Sequence, residues 1–93
     1  MEDVTLLKVG TSPSKLTVIS EPFVLLNFRG YVPCVNVRMH ISGLEKTLVI
    51  SAKSLAEPLE LLRKKNGNMF TGLSFSLAKA DESKMAPYVL TSI

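Results

Sequence analysis

Few residues in this chain could do chemistry, and they are widely spaced. Cys34 is the one cysteine and His40 the one histidine. Both occur in "CVNVRMHI", where strict alternation puts them on the same side of a strand. Six extended residues span about 20 Å, so thiol and imidazole cannot meet as a nucleophile and its base. One Cys and one His also fall short of the three or four ligands of a usual zinc site. The carboxylates are scattered, and the close pairs Glu2–Asp3 and Asp81–Glu82 fall in a terminal stretch and a polar loop. Neither a glycine-rich phosphate loop nor a dinucleotide fingerprint occurs. No catalytic residue, metal or cofactor is expected, and the chain does not read as an enzyme.

A different chemistry fits the cations and rings. Holding an unpaired nucleic-acid strand takes a basic path for the backbone and flat side chains on which bases stack. The candidates are Phe28, Arg29 and Tyr31 near the first turn, Arg38 and His40 on the polar side of the alternating stretch, and Lys53 before a helix. Phe70, Lys79, Lys84 and Tyr88 join them from the end of the chain. "GLSFSLAK" adds Ser74 and Ser76. There Leu73, Phe75 and Leu77 fill a core, while Gly72, Ser74, Ser76 and Ala78 leave a low floor on which a base or sugar could rest. Such small residues equally suit close packing of a second sheet or subunit. Each candidate also has an ordinary reading. Phe23 and Phe75 read as core, Phe28 and Tyr88 more often serve core or interface, and Arg38 and His40 are by default a solvated strand face. Lys64 and Lys65 suit a helix C-terminus and are left out of the site.

The elements that must position these residues come from length and pattern. Ninety-three residues make one domain, 1–93. A hydrophobic share of 46% and a mean hydropathy of +0.26 are high at this size, which points to a full core together with a subunit interface, a homodimer being the expected form. Eleven Lys and Arg against eight Asp and Glu give a net charge of +3, which permits an anionic partner without requiring one. No apolar run approaches the roughly 18 residues of a membrane span. The opening "MEDVTLLKVG" has acids where a secretory leader has bases. A cytoplasmic location is expected, that of a host cell if the protein is viral, and a single cysteine agrees with it.

Strands are expected at Val4–Val9, at Leu16–Phe28 with a bend at Glu21–Pro22, and in "CVNVRMHI" and "TLVIS"; "RGYVP" is expected to turn the chain. In "CVNVRMHI", Val35, Val37, Met39 and Ile41 should face the core. "SLAEPLELLRKKNG" reads as a helix, with Ser54 and Glu57 at capping-box spacing, a Leu55–Leu59–Leu62 stripe, and Asn66–Gly67 as its stop. Pro58 is awkward beyond the first turn. Met69–Lys79 and Pro87–Ile93 form the closing strands. Antiparallel strands with one helix exclude a doubly wound sheet. The order suits a mainly β fold, a small OB-like five-stranded barrel with one helix between its third and fourth strands. Val4–Val9 would be an additional N-terminal strand or part of a kinked first one.

In "LLKVGTSPSKLTVI", "LVISAKSLAEPLELL" and "GNMFTGLSFSLAKADESKMAPYVL" the chain resembles the small OB-fold single-stranded-DNA-binding proteins of phages, archaea and archaeal viruses. It departs from the better-known members in having neither tryptophan nor an acidic C-terminal stretch. The resemblance implies sequence-tolerant binding of single-stranded DNA, in the setting of DNA replication, without catalysis. The competing expectation is a protein-interaction or structural module that uses the same barrel to dimerise or dock a partner.

Overall fold

The computed structural model describes residues 6–27, 30–83 and 86–92. Its elements run β1 (Ser14–Val18), β2 (Phe23–Asn27), β3 (Gly30–Met39), β4 (Glu45–Val49), α1 (Lys53–Lys65), β5 (Ser74–Lys79) and β6 (Tyr88–Ser92). The six strands form one mainly antiparallel open sheet. β4 lies along one side of β3 while β2 and β1 share the other, and β5 and then β6 follow β1. Among the described residues no ladder joins β4 to β6.

β1 and β2 are two halves of one bent strand, as the Glu21–Pro22 break implies. Ile19 N donates to Asn36 O, Asn36 N donates to Ser20 Oγ, and pairing resumes with Phe23 opposite Cys34. Over that interval the bent strand advances four residues and β3 only two, so Ser20–Pro22 bulge out. Two extra residues preserve the alternation, yet burial changes sides across the bulge. Leu16 and Val18 are fully buried, whereas Val24 and Leu26, in the same alternation, are 61% and 68% exposed. Cys34 and Val35 are both buried where the exchange takes place.

The core joins Leu16, Val18, Val35, Val37, Leu48, Phe75 and Leu77 of the sheet to Leu55 and Leu59 of α1. The helix starts without the capping box. Ala52 is its N-cap and makes no side-chain cap, and Ser54 Oγ instead accepts from Tyr88 N at 3.0 Å, tying α1 to β6. The stop is as expected: Asn66 N and Asn68 N both donate to Arg63 O, with Gly67 at φ +63°. Pro58 stands in the second turn, where it cannot donate to the Ser54 carbonyl.

Other expectations are corrected. β3 begins at Gly30, so Tyr31 and Pro33 are paired strand residues and not a turn. Pro33 is tolerated because its carbonyl accepts from Ile50 N, which aims its nitrogen past the end of β4 and not at β2. Ile41 is 98% exposed, since β3 ends at Met39 and the turn closes through Gly43 N donating to Met39 O. The expected strand at Val4–Val9 lies partly outside the described residues. Its described part makes only an isolated parallel bridge, Leu6 to Thr47. From there the chain leaves β4 for β5, where Gly10 O accepts from Lys79 N at 2.8 Å, and Leu7 and Val9 pack on the core on the way. Among the described residues no helix is long and apolar enough to cross a membrane.

Candidate nucleic-acid interface

Alternation along β1, β3 and β5 decides which side chains share the outer face. With Leu16, Val18, Val37, Phe75 and Leu77 turned inward, Lys15, Thr17, Arg38, Ser74 and Ser76 must face outward. Register then aligns them. Thr17 stands between Arg38 and Ser74, Lys15 beside Ser76, and Arg38 beside Glu45 of β4. A polar row therefore crosses four strands.

Thr17 Oγ1 is its hinge, 2.7 Å from Ser74 Oγ and 2.7 Å from His40 Nε2. His40 reaches it from just past β3, where its N–H donates to Lys15 O at 3.0 Å. Arg38 Nη2 donates to Glu45 Oε2 at 3.0 Å, with both side chains more than half exposed. So exposed a pair contributes only about 0–1 kcal/mol, and an anion can compete for the guanidinium. Thr17, Arg38, Met39, His40 and Gly43 line a shallow groove of about 460 Å³.

Of the residues expected from sequence, this face brings together Arg38, His40, Ser74 and Ser76. Lys15 and Thr17 were missed; the clue lay in "KLTV", where the alternation that buries Leu16 and Val18 sends Lys15 and Thr17 outward. The small residues of β5 do not form a bare floor. Ser74 and Ser76 are half-buried and Ala78 is buried, with Thr17 and Val89 of the flanking strands beside them.

Lys53, Lys79 and Tyr88 gather elsewhere. Lys79 has the inward alternation of β5 and emerges at the strand's end opposite Tyr88, its Nζ 5.9 Å from the ring centroid. With Lys53, Ser54 and Pro87 they line a second hollow, of about 390 Å³. Tyr31, 75% exposed, sits opposite Leu26 on the β2–β3 hairpin. Phe70 is half-buried, and Arg63 stands 5.9 Å over its ring. Phe28, Arg29 and Lys84 lie outside the described residues.

Beside Phe70, Glu21 braces the bulge against the turn before β5. Its carboxylate accepts from Thr71 Oγ1 at 2.6 Å, Thr71 N at 2.8 Å and Phe70 N at 3.3 Å. These bonds, those from Thr71 foremost, hold its pKa below the ordinary glutamate value. Burial pushes the Cys34 thiol above its ordinary pKa, the reverse of an activated nucleophile. Among the described residues no three His, Cys, Asp or Glu side chains cluster as metal ligands would.

A scan against protein-family models finds no match, and searches of the curated proteins and of the solved structures find none either. The functional reading therefore rests on the residues themselves: a cationic, hydroxyl-bearing strip outside the sheet, and a lysine–tyrosine hollow by the helix.

Proposed function

We propose that the protein binds single-stranded DNA, without catalysis and with little sequence preference, along the outer face of an OB-like barrel. The observation that carries the reading is the strip across β1, β3 and β5, where Lys15, Arg38 and His40 surround the hydroxyls of Thr17, Ser74 and Ser76. Cations there would neutralise phosphates, and low hydroxyl side chains let a sugar–phosphate backbone approach closely. Among the described residues Tyr31 is an exposed ring that could stack a base, at the far end of β3 and on the alternation opposite to Arg38. The barrel reading is supported by a bent first strand, its hairpin partner, a third strand, a helix and two closing strands, with the N-terminal segment bridging β4 and β5.

The test is titration of fluorescent oligo-dT and of a matched duplex at 50 and 200 mM salt. The single strand is expected to bind at micromolar protein or below, more tightly than the duplex. With about three phosphates neutralised, its log–log salt slope should be near −2. Lys15→Ala and Arg38→Ala should each flatten that slope by roughly 0.7, with the circular dichroism spectrum unchanged. No binding at micromolar protein ends the reading.

One feature favours a second reading, self-association. Among the described residues Val24, Leu26 and Tyr31 form an exposed apolar patch on β2 and β3. Light scattering should then report a dimer that Leu26→Lys dissociates. A wild-type monomer at high micromolar concentration removes this reading and leaves the first intact.

A further inference from the structure

The contacts of Thr17 allow a finer statement, which rests on the nucleic-acid reading. We propose that His40, Thr17 and Ser74 form a proton-controlled phosphate clamp, through which this face grips a phosphodiester backbone more tightly when His40 is protonated.

Thr17 Oγ1 carries one proton and lies 2.7 Å from each neighbour, His40 Nε2 and Ser74 Oγ. At that length each contact holds one hydrogen between its two heavy atoms. A neutral imidazole has one N–H, on either nitrogen. If Nε2 is bare, Thr17 donates to it and must accept from Ser74. Ser74 then spends its proton inward and turns lone pairs to solvent, while Nδ1–H points outward. If Nε2 carries the hydrogen, Thr17 accepts it and its own hydroxyl is free to donate to Ser74. Ser74 O–H is then free to point outward, but Nδ1 presents a lone pair. In either neutral form one end of the chain offers a lone pair, which repels a phosphate oxygen.

Protonation removes that conflict. Imidazolium donates from both nitrogens, so Nε2–H bonds Thr17, Thr17 can donate to Ser74, and Nδ1–H and Ser74 O–H can then both be offered to a phosphate as donors. Among the described residues neither Nδ1 of His40 nor the outer side of Ser74 Oγ has a hydrogen-bond partner. The imidazolium also adds a charge to the groove it shares with Arg38. Among the described residues the charged groups around it are Lys15 on β1, Arg38 on β3 and Glu45 on β4, while β5 contributes the hydroxyls of Ser74 and Ser76. The chain has no second histidine to blur the effect of protonating this one.

The test measures oligo-dT affinity at pH 5.5 and pH 8 for wild type, His40→Gln and Thr17→Val, each checked for folding by circular dichroism. An oligomer of abasic deoxyribose phosphate serves as a second probe. Wild type should bind both probes about three- to tenfold more tightly at pH 5.5, with a salt slope steeper by about 0.7, one further phosphate contact. His40→Gln should abolish the pH effect. Thr17→Val keeps the imidazolium but cuts the chain to Ser74, so its gain should be clearly smaller than that of wild type. Binding without a pH effect, a pH effect that survives in His40→Gln, or a full gain in Thr17→Val each overturns the clamp while leaving the proposed function standing. Failure of wild type to bind either probe at either pH overturns both.

Discussion

Glu21 shows how much one exposed side chain can organise. By accepting from Thr71 and Phe70 it joins residues some fifty positions apart in sequence and holds the bulge against the turn that feeds β5. Because folding lowers its pKa, the stabilisation is complete above about pH 4.3, the ordinary glutamate value, and is lost as pH falls through the lowered value. Glu21→Gln should therefore lower the urea midpoint at pH 7, and the two proteins should converge once the pH lies below the lowered folded-state value. A difference that persists there would assign the effect to shape and not to charge. Cys34 makes the opposite case. Fully buried and with its thiol pushed up in pKa, it should react with a disulfide reagent at pH 8 only as fast as the protein opens, and at once in denaturant. At this scale the sequence showed residue types but not their partners. Nothing local marks Thr17 as the contact of both His40 and Ser74, because those neighbours are 23 and 57 residues away.

Among the elements, α1 bends the rules of its class. Pro58 denies the Ser54 carbonyl its helical donor, yet the helix continues to Lys65, because Leu55 and Leu59 are anchored in the core. Pro58→Ala should raise stability by about 1–2 kcal/mol, less than the full interior cost of proline, since proline also restrains the unfolded chain. Thermal melts followed at 222 nm would read it. Phe75, with no exposed surface near the start of β5, should cost about 3–5 kcal/mol when changed to Ala. Element positions were largely legible, since period-two and helical patterns are local. Their ends were not. Apolar alternation runs on through Ile41 although the strand stops at Met39, and a strand-like N-terminal pattern yields only one bridge because the chain leaves β4 to reach β5.

The whole molecule has a Cα radius of gyration of 12.6 Å, close to the roughly 12 Å expected of a compact single domain this long. Buried residues of β1, β3, β4 and β5 join Leu55 and Leu59 of α1 in one cluster, with Tyr88 and Leu90 of β6 packed against it, so unfolding should be two-state. Far-ultraviolet dichroism and tyrosine fluorescence should give coincident urea transitions. Because β1 must find β5, pairing Leu16 with Phe75, folding should fall in the millisecond-to-second range of β-rich domains. Stopped-flow refolding decides it, and a microsecond phase carrying the full amplitude would contradict the topology.

The sequence by itself determined most of the elements and their order and the inward side of most strands, since backbone preference and side-chain periodicity act over a few residues. Tertiary structure alone decided which polar side chains became neighbours. Long-range register, fixed by burying Leu16 against Phe75 and Val18 against Val37, brought Lys15 and Thr17 to Arg38, His40 and Ser74. The same register sent Lys79 and Tyr88 to a different hollow, because a residue one step along a strand points to the other side of its sheet.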